Sequence, residues 1–158
     1  MEKKEYKELS AMAANGDAKA FSRLYETIYR EMYYMAFYSL ADDKDAVEAV
    51  TGTIRDGFNA VNRMRSEAAF RVFMMKTLFA RIKMRIKEYG DEDVLDGEQP
   101  EIKQWLFRLD GADRICAVMY IACKFTIEDI SAFSGLLKGT VKRRLNKCVN
   151  TLELDRIY

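Results

Sequence analysis

Residues 126–145 read TIEDISAFSGLLKGTVKRRL, and their spacing governs how the rest of the chain is read. Thr126 carries the side-chain oxygen of a helix N-cap, with Asp129 in the turn that follows. The helix it opens stops at Phe133-Ser134-Gly135, where glycine tolerates the positive φ that a tight helix-turn-helix requires. Leu136 is an apolar anchor under the turn, and a second helix begins near Lys138-Gly139-Thr140. Ile130, Leu136, Val141 and Leu145 have the spacing of the core beneath such a motif. The outward face carries Lys138, Gly139, Thr140, Lys142, Arg143, Arg144 and Lys147, with no acid from 138 to 147. Recognition helices turn their N-terminal residues toward base edges, and arginine or lysine there donates to guanine or to phosphate. A basic helix alone reads as a solvated face. The glycine turn and the unbroken basic cluster together point to DNA.

Working outward, the whole chain has helical texture. Of 158 residues, 49% are hydrophobic and one, Pro100, is proline, a composition that favours long helices around a core. Helical spacing predicts helices over 5–14, 18–40, 44–63 and 67–88, then over 101–109, 112–123, 127–133 and 138–153. Asn15-Gly16-Asp17, Ala41-Asp42-Asp43 and Ser66 supply the stops and caps in the first half. The helix over 44–63 sets Val47, Val50, Ile54, Phe58 and Val61 on its apolar face. Gly52 and Gly57 interrupt that pattern, consistent with close packing or with local give. The stretch 90–99 is acidic and glycine-bearing and reads as a linker between domains 1–89 and 100–158. The expected fold class is all-α: two small helical domains.

The net charge of +1 hides blocks of one sign. Residues 65–87 hold Arg65, Arg71, Lys76, Arg81, Lys83, Arg85 and Lys87 against one acid, Glu67. Fields act over a Debye length of about 8–10 Å, so local blocks matter more than the sum. Arg71, Lys76, Arg81, Lys83 and Arg85, with Phe73, make a second candidate DNA surface, since single strands are held by basic grooves with aromatic platforms. Phe70 and Phe73 recur at core spacing, so the basic residues are the better contact candidates.

These stretches resemble extracytoplasmic-function sigma factors of the sigma-70 family, of which the chain would be a divergent member. Gly139-Thr140-Val141-Lys142-Arg143-Arg144-Leu145, after Phe125-Thr126-Ile127-Glu128-Asp129-Ile130, is similar to the family's −35-reading helix-turn-helix. Asp45-Ala46-Val47-Glu48-Ala49-Val50-Thr51-Gly52 sits where the family carries its acidic polymerase-clamp motif. Arg65-Ser66-Glu67 through Phe73 resembles the lead into the helix that melts and reads the −10 element. The resemblance implies a region 2-like domain over 1–89, an acidic linker and a region 4-like domain over 100–158. It implies promoter DNA and core RNA polymerase (β′ clamp and β flap) as partners, with an anti-sigma factor as a further one. Asp45, Glu48 and Thr51 would be polymerase-binding. The match departs from the family at Thr51-Gly52, where a Gln-Glu pair is usual, and at Ser131 and Ser134, where the motif is usually apolar or small.

Other chemistries find little support. The absence of histidine removes the common nucleophile–base arrangements and zincin motifs, and no phosphate-binding glycine loop occurs. No catalysis, cofactor or metal is expected. Cys116, Cys123 and Cys148 read as reduced core thiols. A charged N-terminus and short apolar runs predict no signal peptide, no membrane insertion and a cytoplasmic location. Two further readings remain: a sigma-like adaptor that binds protein without starting transcription, and a DNA-binding regulator independent of polymerase.

Overall fold

The computed structural model describes the backbone of residues 1–89 and 101–157 and the side chains of 1–89 and 104–150. The linker expected at 90–99 and Pro100 lie outside the described residues. Helices α1 (Lys3–Ala14), α2 (Ala18–Tyr25), α3 (Tyr29–Leu40), α4 (Asp43–Ala60) and α5 (Glu67–Tyr89) build the first half. The second half comprises α6 (Glu101–Phe107), α7 (Gly111–Ile121), α8 (Ile127–Ser134) and α9 (Lys138–Ile157). Among the described residues there is no strand, in agreement with the expected all-α class.

The caps form where side-chain oxygens precede apolar runs. Gly16 leaves α1 at φ +97°. Asp17 then accepts from the Ala20 N–H at 3.1 Å, Asp42 from the Asp45 N–H at 2.9 Å and Ser66 from the Ala69 N–H at 3.0 Å. Asp110 does the same for α7 through the Asp113 N–H. Each such cap is worth about 1 kcal/mol.

Two expectations fail in instructive ways. The single helix predicted over 18–40 is two, α2 and α3, with a bend at residues 26–28. The Thr27 hydroxyl donates to the Leu24 carbonyl at 2.8 Å, and Ile28 sits at φ −124°, ψ 0°. A threonine that bonds back to its own chain offers the backbone an alternative to the helical ladder. Ile28 stays buried, so the apolar repeat runs straight through the bend and periodicity cannot reveal it. The second correction concerns α4, where Val47 is exposed; Val50 and Val61 are buried and Ile54 and Phe58 pack on the core as expected, but most of the buried face is small residues: Ala46, Ala49, Gly52, Thr53, Gly57 and Ala60.

That small-residue face brings α4 close against α5. A Cβ built on Gly57 would lie 2.4 Å from the Met74 sulfur and 3.1 Å from Cζ of Phe21. Gly57 is therefore a packing glycine. Gly52 answers differently: a Cβ there would meet the Arg81 guanidinium, with Nη1 at 2.5 Å.

The far flank of α5 receives α7 and α8, and α3 also packs on α7. Ile115, Met119, Phe125, Ile130 and Phe133 therefore share one continuous core with residues of the first half such as Met32, Met35, Met74 and Leu78. A smaller cluster of Trp105, Leu106, Ala117, Val118 and Cys148 ties α6 and α9 to α7. Arg114, 3% exposed, runs from α7 to the first half, where Nη1 donates to the Ser39 carbonyl at 3.3 Å.

The two glycines of α4 should respond oppositely to a methyl group. Overpacking a core costs about 1–3 kcal/mol, against a gain of up to ~1 kcal/mol in helix propensity. Gly57→Ala should lower the urea midpoint of unfolding. Gly52→Ala should hold or raise it, because its methyl meets the end of a half-exposed arginine that can swing aside. Circular dichroism during a urea titration measures both, and equal losses would refute this account of the α4–α5 contact.

Candidate nucleic-acid interface

The helix-turn-helix is built from the bottom by α8. Thr126 and Asp129 form a reciprocal capping box, and Ile130 and Phe133 are buried beneath the motif. Gly135 adopts φ +77°, and its N–H reaches the Ser131 carbonyl at 3.0 Å. The two serines that depart from the family pattern both hold this turn. The Ser131 hydroxyl donates to the Leu136 carbonyl at 2.6 Å, and Ser134 Oγ accepts from the Leu136 N–H at 3.2 Å. Leu136 packs on the core, while Val141 and Leu145 seat α9, all as expected.

The basic face is less uniform than its sequence suggests. Lys138, Gly139, Lys142, Arg143 and Lys147 are exposed, and Thr140 is half-buried. A Cβ on Gly139 would meet nothing within 4 Å, so nothing in the fold demands glycine there. Arg144 is the exception to the expected outward cluster. It is half-buried and its Nη1 pairs with Asp113 Oδ1 of α7 at 3.2 Å. A helix presents residues one position apart on different faces, so the run Lys142-Arg143-Arg144 divides between solvent and the α7 contact.

On α5 the six predicted residues fall into two sets. The arginines are all paired. Arg71 bonds Glu31 of α3, and its guanidinium lies 5.2 Å from the Phe125 ring centroid and 5.5 Å from that of Phe133. It thus packs against the second half on one side, with about a third of the side chain still exposed. Arg81 crosses α4 at Gly52 and holds Asp56 through Nε at 3.2 Å and Nη2 at 2.7 Å. Arg85 bonds Asp45 at 3.0 Å and Glu88 at 2.7 Å. Such half-exposed pairs are worth about 0–1 kcal/mol each.

The lysines lie on the other face. Lys76, Lys83 and Lys87 are exposed and spaced seven and four residues apart, which places them in one line. Ala80 and the exposed Met84 lie among them, and shallow, largely apolar grooves run on either side. Phe73, half-buried, lines one groove beside Lys76. Phe70 is core. Lys87 was missing from the predicted set; its helical spacing from Lys76 and Lys83 was the signal that would have added it.

The acidic residues of α4 divide as well. Glu48 and Thr51 are exposed. Asp45 is tied inward by Arg85 and by the Tyr89 hydroxyl, which donates to it. Burial pushes the Asp45 carboxyl up, but the hydrogen bonds from Tyr89 and Arg85 outweigh it and hold the group below the ordinary carboxylate range. Asp45 is therefore not the open acid that the sequence suggested.

No protein-family model and no curated protein matches the chain by sequence. Among solved structures it is similar to CnrH, determined in complex with the cytosolic domain of CnrY. The TM-score is 0.72 and the identity 18%, over 96% of this chain and 98% of that one. At that identity the likeness speaks for the fold alone, which is like that of CnrH.

The thiols report on how α9 is seated. Burial, reinforced by Asp113, pushes Cys116 of α7 up to about 12 and Cys148 of α9 to about 11. Burial and Glu31 push Cys123 to about 12. At pH 8 a thiol of pKa 12 is about 10⁻⁴ thiolate, so the folded chain should react with a thiol reagent orders of magnitude more slowly than the urea-unfolded chain. Because these pKa values lie above the unfolded value near 9, the thiols' contribution to stability is complete below about pH 9 and declines toward pH 12. Rapid labelling of Cys116 or Cys148 at pH 8 without unfolding would mean that α9 is not packed as described.

Proposed function

We propose that the chain is a sigma factor of the extracytoplasmic-function type, which directs RNA polymerase to promoters from the cytoplasm. The observation that carries this reading is the uncovered basic face of α9, set on a tight helix-turn-helix within a sigma-like fold. In this scheme Lys138, Gly139, Thr140, Lys142, Arg143 and Lys147 meet the −35 duplex. The lysine line of α5 with Phe73 follows the separated −10 strand, where stacking and phosphate contacts combine. Glu48 and Thr51 of α4 face the β′ clamp, and the second half meets the β flap. CnrH was solved with a domain of CnrY, which favours a comparable anti-sigma partner for this chain. Among the described residues no helix is long and apolar enough to cross a membrane.

One observation favours a second reading, in which the chain is an adaptor without initiation activity. Asp45 is neutralised internally and Gly52 supplies no acid, so the α4 surface offers polymerase few free carboxylates. Run-off transcription with core polymerase separates the two. The sigma reading expects a chain-dependent start on promoters of its own genome, and binding to β′ without any start would leave the adaptor.

Recognition by α9 has its own signature. Arg143→Ala should reduce discrimination between promoter sequences, each good base contact being worth about 1–3 kcal/mol. Lys142→Ala should instead weaken all sequences alike and lower the salt slope by about one phosphate. Arg144→Ala should act mainly through stability, since it strands Asp113. Fluorescence anisotropy on matched and mismatched promoter duplexes reads all three, and unchanged preference in Arg143→Ala would remove that residue from recognition.

A further inference from the structure

Arg81 stands between two grooves. One is lined by Asp45, Glu48 and Ala49 of α4, with Met84 and Glu88 of α5. The other is lined by Phe73, Lys76, Thr77 and Ala80, with Asp56 at its edge. The arginine belongs to both. Its guanidinium crosses Gly52 to hold Asp56 through Nε and Nη2, and a Cβ on Gly52 would lie 2.5 Å from Nη1 and 2.6 Å from Cζ, so a side chain there would push the guanidinium out of this position. Both partners of the pair are exposed to solvent, Arg81 by 39% and Asp56 by 41%, so water screens it and a competing anion can reach it.

We infer that Arg81 is a shared cation, held by Asp56 across the Gly52 slot in the free protein and transferred to a phosphate when a single strand occupies the Lys76 groove. The inference rests on the reading of α5 as a nucleic-acid surface. One guanidinium cannot serve the Asp56 carboxylate and a strand phosphate with the same donors. Strand binding on α5 therefore uncovers the Asp56 carboxylate on α4, about 12 Å along the same helix from Glu48 of the proposed clamp contact. A basic protein surface that engages Asp56 likewise frees Arg81 for phosphate. By linkage the two surfaces strengthen each other by the same factor. Gly52, the residue that departs from the family's acidic pattern, is what makes the exchange possible: it trades a fixed acid for a slot that stores a positive charge.

The test uses a substitution that changes no charge. Gly52→Ala expels the guanidinium from the slot while the net charge stays the same, so a general change in field cannot explain its effect. The full chain and its variants are titrated with fluorescein-labelled oligothymidylate at several salt concentrations, with thermal unfolding monitored in parallel. Gly52→Ala should bind about three- to fivefold more tightly at about 0.1 M salt and should steepen the slope of log K against log salt by about 0.7, one single-strand phosphate. Asp56→Asn should move both quantities in the same direction. Adding Arg81→Ala to the Gly52→Ala background should abolish the gain. If Gly52→Ala changes neither quantity while Lys76→Ala with Lys83→Ala weakens the wild-type chain, the shared arginine is wrong and the α5 surface stands. If the lysine pair also has no effect, both fall.

Discussion

The structure depends on one constraint: the 23-residue helix α5 must bury apolar surface against two halves of the chain at once. α4 closes on one flank through its small residues, and α7 and α8 close on the other. Met74, Leu78 and Ile82, completely buried, fill the space between. Charges at the edges of such a contact must find partners, because burying an unpaired ion is far more costly than pairing it. The three arginines sit at those edges and each takes a carboxylate from α3 or α4. Lysines on the opposite face are under no such demand and remain solvated. The sorting of one basic block into paired arginines and free lysines follows from where the core lies.

The same constraint separates the two candidate DNA surfaces. Arg71 lies against the edge-packed pair Phe125 and Phe133, so the second half packs on the N-terminal part of α5. A guanidinium over an aromatic face is worth roughly 0.5–2 kcal/mol, enough to favour this contact without making it permanent. The outward face of α9, by contrast, is left open, since Val141 and Leu145 turn inward. Ser131 and Ser134 keep the turn rigid by satisfying the backbone of Leu136. The motif is thus positioned by its core and turn, with Lys138, Lys142 and Arg143 exposed on its outward face.

Much of the fold was legible because local rules agreed. Thr126, Gly135, Asp17 and Ser66 act as caps and turns where their chemistry predicted, and Val141 and Leu145 are buried as their spacing required. Two features hid from periodicity. The bend at Thr27 leaves the apolar repeat intact, and most of the buried face of α4 is alanine and glycine, which carry little hydrophobic signal. Of the candidate site, the identity of the basic residues was readable but their state was not. Arg144 and Arg71 look the same in sequence as Arg143 and Lys76, and only the positions of Asp113 and Glu31, 31 and 40 residues away, set them apart. Pairing over such distances is decided by tertiary packing, as is the Gly52 slot, which is visible only once Arg81 is seen to cross it.

The central claim is that this chain brings polymerase to DNA through α9 and the lysine face of α5. Its most direct test is site-specific photo-crosslinking from position 83 in a complex of core RNA polymerase, the full chain and promoter DNA. The account predicts a crosslink to one separated strand in the −10 region, dependent on both polymerase and an intact −35 element. A stable complex with polymerase and DNA that gives no crosslink from this position, or the same crosslink on duplex DNA lacking polymerase, would contradict it.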